Sequence, residues 1–325
     1  MNFLVVGPGA IGCLFAARLK IAGNEVVLLD YDKERAKRIS EQGVIVSGVS
    51  GDYRVHVPTV VGDHPFRPDF ILICVKSNNT EQAGISGSSF ARPDTMVVTL
   101  QNGLGNIEKL TEIFGSKRVL GGVTAQGATL LGEGRIRHAG EGETVIGPRG
   151  QGERSAQALV SLLNSAGFET RMVDNVEELI WGKLIINVGI NALTAILRVK
   201  NGRVSAVNGI RRIMQDTVSE AVSVAEAKGM SLPYQEPLER VVAVCEATKD
   251  NASSMLQDVL KGKLTEIEMI NGAIVRDGEK LGIPTPVNRT LTYLVQGIQE
   301  TYKERVHAKV SQTLSEDFSK MESVD

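Results

Sequence analysis

Cysteine is scarce in this chain. Cys13, Cys74 and Cys245 are the three present, and their odd number and wide spacing exclude a disulfide framework; reduced core thiols are expected. The four histidines are scattered, no pair has metal-ligand spacing, and no metal site is expected. Neither sign of charge is in excess. With 36 Lys and Arg against 38 Asp and Glu, the net charge is −2. That balance argues against a nucleic-acid partner and against a basic membrane-surface patch. No apolar run reaches 18 residues, and the opening MNFLVVGPGAIG lacks the charged start of a signal peptide; a cytoplasmic protein without a membrane anchor is expected. Repeats at solenoid spacing and low-complexity tracts are also missing. What remains is an ordinary globular composition, 42% hydrophobic and 23% charged over 325 residues. That length suggests two domains.

The first informative stretch is the β-rich run NFLVV at 2–6. It enters Gly7-Pro8-Gly9-Ala10-Ile11-Gly12 and then an apolar helical pattern through Lys20. Strand, G-x-G-x-x-G and helix in that order point to a dinucleotide turn. Gly7 permits the tight turn, Gly9 lets a pyrophosphate approach the backbone, and Gly12 lets helix and strand pack closely. The helix N-terminus then offers free N–H groups to the phosphates. The next strand, EVVLL at 25–29, ends at Asp30. In such a fold this position meets the adenosine ribose, where a carboxylate accepts hydrogen bonds from the hydroxyls and repels a 2′-phosphate. NAD(H) is therefore favoured over NADP(H), although Lys33 and Arg35 are near enough to neutralise a phosphate.

Strand and helix signals keep alternating. Residues 44–47 and 53–57 suggest a hairpin off the main sheet. DFILICV at 69–75 and MVVTL at 96–100 read as central parallel strands. Ligands of an open α/β sheet bind outside the C-terminal strand ends, which gives Lys76 and Asn102 the address of the nicotinamide half of the cofactor. A sixth strand is expected at 118–124, and a glycine-punctuated hairpin edging the sheet at 129–147. His138 lies in that hairpin and takes no role. A loop at 150–154, a helix at 155–166 and a strand at 169–173 complete a Rossmann dinucleotide-binding domain over residues 1–173.

From 174 to 325 the β signals stop, and an all-helical domain is expected. Asp174 or Asn175 caps its first helix. Further helices are expected near 209–229, 235–249, 264–281 and 286–305, with Gly229 and Gly282 as C-caps and a polar tail after Ser311. Glu266 falls at the start of the third of these. The opening helix carries the unusual feature. WGKLIINVGINALTAIL at 181–197 is nearly all apolar, yet Lys183, Asn187 and Asn191 recur every fourth residue. Each is turned about 40° from the last, so they share one face. A buried amide without a partner costs on the order of 1–3 kcal/mol. The stripe is therefore either a satisfied structural network or the wall of a ligand cleft between the two domains. Ser253 and Ser254 precede an apolar helical turn and could cap it.

The set GPGAIG, CVKS at 74–77, QNG at 101–103, H-x-G-x-G with ETVIG at 138–147, WGKLIINVGIN at 181–191, KNG at 200–202, SSMLQD at 253–258 and TEIEMING at 265–272 resembles the ketopantoate reductase (2-dehydropantoate 2-reductase) family. The likeness runs in order along nearly the whole chain. It implies a Rossmann domain joined to a helical domain of the 6-phosphogluconate dehydrogenase kind, reduction of a small 2-oxo acid by NAD(P)H, and a place in pantothenate synthesis. Oligomeric state stays open, a homodimer included. Carried across residue by residue, the resemblance makes Lys183 the acid and Glu266 the catalytic-site carboxylate that keeps it charged. It makes Asn187, Asn191, Asn201 and Ser254 substrate-binding residues, and puts Lys76 and Asn102 beside the nicotinamide. Asp30 departs from the basic residue that NADPH-using members carry near this point. In that respect the chain is also similar to the NAD-dependent D-2-hydroxyacid (mandelate-type) dehydrogenases on the same scaffold. A non-catalytic dinucleotide sensor would keep the glycine turn but would need neither Lys183 nor Glu266.

Overall fold

The computed structural model describes residues 1–148 and 152–304. In chain order the elements are β1 (Asn2–Val6), α1 (Ala10–Ile21), β2 (Glu25–Asp30), α2 (Lys33–Gln42), β3 (Val44–Gly48), β4 (Tyr53–Val55), β5 (Thr59–Val61), β6 (Phe70–Ile73), α3 (Thr80–Ser88), β7 (Met96–Thr99), α4 (Asn106–Phe114), β8 (Val119–Thr124), β9 (Gly127–Gly132), β10 (Arg135–Gly140), β11 (Thr144–Pro148), α5 (Glu153–Ser165) and β12 (Thr170–Met172). Helices follow: α6 (Val176–Leu197), α7 (Gly202–Ala206), α8 (Asn208–Ala227), α9 (Pro237–Ala247), α10 (Ser254–Leu260), α11 (Asn271–Leu281) and α12 (Pro286–Glu300). The loop expected at 150–154 lies partly outside the described residues, and Glu153 already opens α5. The tail after Ser311 lies outside them altogether.

The eight-stranded sheet has the order β12-β11-β8-β7-β6-β1-β2-β5. From β5 to β8 it is parallel; β11 then runs antiparallel to β8. The six parallel strands stand in the order of a doubly wound dinucleotide-binding sheet, with the switch point beside β1. Its central strands are buried on both faces, which is why they read as unbroken apolar runs. Phe3 and Val5 point into one core with Leu14 and Phe15 of α1. Leu4 and Val6 point into the other with Ile107 and Leu110 of α4.

Two expectations for the β region need correction. The 129–147 stretch does not form one hairpin on the edge of the main sheet. β9 and β10 join β3 and β4 in a separate four-stranded sheet, while β11 returns to the main one. The three residues of β5, with no pattern of their own, extend the main sheet beyond β2. After β12 the described residues contain helices and no strand. Asn175 caps α6, its side chain accepting from the Glu177 amide. The expected helix at 264–281 is broken: Ile267–Met269 form a short 3-10 turn, Ile270 leaves helical geometry at φ −107°, ψ −94°, and α11 starts at Asn271. Glu266 therefore stands before that turn, not in a helix's first turn. By length and mean hydropathy α6 is apolar enough to cross a membrane, although Lys183 interrupts its apolar run as the sequence reading had it, and 67% of its most apolar window is buried inside this protein. It packs against α8, α9, α10 and α12 as the axis of the helical part.

Candidate active site

The glycine turn is built as its spacing predicts. Gly7 has φ +99°, and a Cβ there would meet Val75 Cγ1 at 2.6 Å. At Gly12 a Cβ would lie 2.0 Å from the Gly7 carbonyl oxygen. Gly9 differs: the nearest atom to a Cβ would be Cys74 O at 4.0 Å, which leaves space above its backbone. Gly9 is also the N-cap of α1 and offers no side chain to the helix N–H groups. Ala10 and Ile11 add backbone N–H groups at the helix start, and Pro8, which has none, shapes the turn between the glycines; together they leave a cradle that a pyrophosphate fits. Cys13 and Cys74 line its floor. Burial pushes both thiols up to about 12, so neither is a nucleophile.

Asp30 ends β2 as expected, but its carboxylate does not face open space. The side chain is fully buried and holds Arg35 in a bidentate pair, Nε to Oδ2 at 2.7 Å and the terminal nitrogen to Oδ1 at 2.5 Å. Oδ1 also accepts from the amides of Tyr31 and Asp32. The Arg35 guanidinium lies 4.9 Å from the centre of the exposed Tyr31 ring. The direct ribose contact expected of Asp30 would have to displace Arg35.

At the C-terminal end of β6 the loop reaches into the helical part. Lys76 forms an ion pair with Asp258 of α10 and donates to Leu264 O at 3.3 Å. Asn78 donates to Thr265 O at 2.8 Å. Ser77 donates to one oxygen of Glu266 from both its amide and its hydroxyl, each at 3.0 Å, and Asn102 donates to the other at 3.3 Å. Beside Asn102, Gly103 (φ +82°) packs backbone against backbone: a Cβ there would meet Met269 O at 2.3 Å. These bonds fasten the C-terminal strand ends to the segment between α10 and α11. Burial raises the Asp258 carboxyl above its ordinary value, with Lys76 opposing the shift.

Lys183 lies on α6 where that helix passes the end of β8. Its ammonium donates to the Thr124 carbonyl at 2.7 Å. Burial brings its pKa down to about 8, with the Glu266 charge pulling the other way. The expected direct pair is not formed: among the described residues no carboxylate lies within 4.0 Å of Lys183. Glu266 acts on it through space, its oxygens taken by Ser77 and Asn102. A cavity of about 370 Å³ adjoins Lys183, lined also by Leu179, Gly182, Ile186, Pro233, Tyr234 and Arg240.

Asn187 is half-buried and Asn191 buried, farther along the same stripe. Of the serine pair, Ser253 is the cap: its hydroxyl accepts from the Leu256 amide and meets Thr194 Oγ1 at 2.7 Å. Ser254 is exposed at the start of α10. Asn201 lies past the end of α6; its amide nitrogen donates to Thr248 Oγ1 at 2.9 Å, while its Oδ1 is buried without a hydrogen-bond partner. Leu197, the last residue of α6, is already about 21 Å along the axis from Lys183. The structure thus gathers Lys76, Asn102, Lys183 and Glu266 at the strand ends, and strings Asn191, Ser254 and Asn201 along the other half of α6. Sequence reasoning missed Ser77, Thr124 and Asp258. Ser77 and Thr124 follow or end parallel strands at their carboxyl ends, the signal that drew attention to Lys76 and Asn102.

The chain matches the family described as ketopantoate reductase PanE/ApbA over residues 3–151 and that family's C-terminal region over residues 175–299. The 2-dehydropantoate 2-reductase of Halobacterium salinarum is 37% identical over 301 residues, 91% of this chain and 98% of that one. That of Archaeoglobus fulgidus is 36% identical over 298 residues, 91% of this chain and 97% of its own. Among solved structures, a PanE/ApbA family ketopantoate reductase from Ralstonia eutropha superposes with a TM-score of 0.86 at 32% identity, covering 94% of this chain and 100% of that one. A D-mandelate dehydrogenase with NADH and anilino(oxo)acetate gives 0.87 at 29% identity, covering 93% and 99%.

Proposed function

This chain belongs to the ketopantoate reductase family and is an oxidoreductase acting on a CH–OH group, and we propose that it is a 2-dehydropantoate 2-reductase, converting ketopantoate to pantoate with a nicotinamide dinucleotide. The observation that carries this is Lys183: an ammonium enclosed at the end of β8, with its pKa brought to about 8 and one carboxylate acting on it from a distance. A proton donor works best when its pKa lies near the operating pH.

When bound, the dinucleotide supplies hydride to the carbonyl carbon of the 2-oxo acid. Lys183 hydrogen-bonds the carbonyl oxygen, stabilises the charge that develops there and gives up its proton to complete the alcohol. Glu266 holds Lys183 in its charged form from beyond hydrogen-bond range. Asn187, one helical turn along the stripe from Lys183, helps to bind the substrate and fix its carbonyl over the cofactor, while Asn191, Ser254 and Asn201 line the farther half of the cleft wall. Gly7 to Gly12 hold the pyrophosphate, and Lys76 and Asn102 border the nicotinamide. In this reading residues 1–173 are the Rossmann, dinucleotide unit and residues 174–325 the substrate unit of a cytoplasmic enzyme.

Cofactor preference rests with Asp30 and Arg35 together. Asp30 favours NAD(H), not by meeting the ribose but by holding the guanidinium that would otherwise face a 2′-phosphate. A second reading, an NAD-dependent D-2-hydroxyacid dehydrogenase acting on another 2-oxo acid, draws support from the likeness to D-mandelate dehydrogenase. Initial rates on a panel of 2-oxo acids, ketopantoate included, with NADH and NADPH separate the two. Ketopantoate is expected to give the highest kcat/KM; a bulky aryl oxo acid far ahead of it would overturn the assignment in favour of the second reading.

A further inference from the structure

The H-x-G-x-G stretch at 138–142, with Thr144 after it, lies next to the candidate active site without entering it. His138 is fully buried on β10. Gln126, in the corner between β8 and β9, donates through Nε2 to Gly142 O at 2.5 Å. Its amide oxygen therefore faces His138 Nε2 at 2.8 Å, so Nε2 carries the proton and Nδ1 accepts from Ser50 Oγ at 2.8 Å. The backbone amide of Gln126 donates to Thr124 Oγ1 at 3.2 Å, and that hydroxyl lies 2.8 Å from Thr144 Oγ1. Gly142 fits against this corner only without a side chain, since a Cβ would come within 2.6 Å of Ala125 Cβ. The carbonyl of Thr124, the residue so held, accepts the Lys183 ammonium at 2.7 Å.

We propose that His138, Gln126 and Thr144 are positioning residues for the reaction: they lock the β8–β9 corner so that the Thr124 carbonyl holds Lys183 where a substrate carbonyl can meet it. The inference rests on the proposed role of Lys183 as proton donor. Each part of the motif then has a task. His138 orients the Gln126 amide, Gly142 offers its carbonyl and lets the strands close, and Thr144 fixes the Thr124 side chain so that its carbonyl points outward. Burial, and next the Arg18 charge, hold the His138 imidazole below its ordinary pKa against the opposing pull of Glu141. The neutral tautomer that this network needs is thereby maintained.

The test is steady-state kinetics of the full chain across the pH range, with Kd for the dinucleotide measured separately. Gln126→Leu is expected to lower kcat roughly ten- to a hundredfold, the scale of a small misplacement of a catalytic group, with the dinucleotide Kd unchanged. The alkaline limb of kcat/KM should move to lower pH, because a carbonyl acceptor favours the ammonium form. The one charge acting on that ammonium, Glu266, stays in place, as does Arg240 in the lining of the adjoining cavity. Thr144→Val removes one buried hydroxyl and should move both readouts the same way; it carries the test if Gln126→Leu does not fold. His138→Gln, which keeps a donor toward Gln126, should retain more of the rate than His138→Leu. Wild-type kcat and an unmoved limb in the folded variant, whatever its loss of Tm, would overturn the inference. Lys183→Ala separates the layers. If it is nearly inactive while Gln126→Leu and Thr144→Val turn over normally, only the positioning role fails; if it turns over normally, the proton-donor reading fails and this inference with it.

Discussion

Lys183 shows what one residue gains from its surroundings. Free in water its amine would hold a proton far above neutrality; enclosed against Thr124 it titrates near 8. Because the proton is consumed in each turnover, activity should be full below that value and fall as pH rises through it. A kcat/KM profile in the direction of oxo acid reduction should therefore show an alkaline limb near 8. Lys183→Ala should cost ~10²–10⁴ in kcat, the usual range for general acid catalysis, and should abolish that limb. Asp30 offers a second test at this scale. With its carboxylate closed on Arg35, Asp30→Ala should free the guanidinium and raise the NADPH-to-NADH ratio of kcat/KM. Arg35→Ala should leave NADH in use and depress NADPH further. Strong NADPH preference in the unmodified protein would sink the argument.

At the scale of elements, the turn from β1 to α1 separates two uses of glycine. Gly12 is required by packing, since a Cβ would sit 2.0 Å from Gly7 O. Gly12→Ala should lower stability by ~1–3 kcal/mol, the cost of overpacking, visible as a lower Tm without any ligand. Gly9 has ordinary backbone angles, φ −76° and ψ −171°, and open space above it. Gly9→Ala should fold with an unchanged Tm yet weaken dinucleotide binding tenfold or more in a titration of cofactor fluorescence. α6 is the other decisive element. Its apolar surface is long enough for a membrane, but α8, α9, α10 and α12 cover it, and Lys183 of its polar stripe meets the end of β8. The stripe was legible because helical spacing is local. That Ser253, not Ser254, caps α10 was left open, since either serine satisfies the pattern and only the extended ψ of Ser253, 159°, with its bond from the Leu256 amide, selects it.

For the molecule as a whole, the contacts from Lys76, Ser77, Asn78 and Asn102 to residues 258–266 tie sheet to helices on one side of the cleft. A dinucleotide lying across those strand ends should stabilise the folded protein. At a hundredfold excess over Kd the gain is about 2.7 kcal/mol, measurable as a rise in Tm. Glu266→Gln should lower turnover more than it weakens the dinucleotide, because Ser77 can still donate to the amide oxygen and Asn102, by turning its own amide, can accept from the amide nitrogen, while the charge acting on Lys183 is gone. A loss confined to cofactor affinity would assign Glu266 to binding instead.

Features that depend on near neighbours are legible along the chain: the glycine turn, the apolar strands feeding it, the change to helices after residue 173 and the face shared by Lys183, Asn187 and Asn191. Spacing along one strand or helix is enough to define each of them. Which polar groups meet depends instead on how the elements pack. Lys183 and Thr124 are 59 residues apart, and Ser77 and Glu266 are 189 apart; no local pattern encodes such pairs. Even Asp30, only five residues from Arg35, turned away from the open side expected of it. A buried carboxylate takes whichever donors reach it first, and that order is set by how α2 packs on β2. The helix of Lys183 is a clear signal in the sequence, but its amine titrates near neutral pH, as the proposed proton donor must, only once β8 and its corner enclose it.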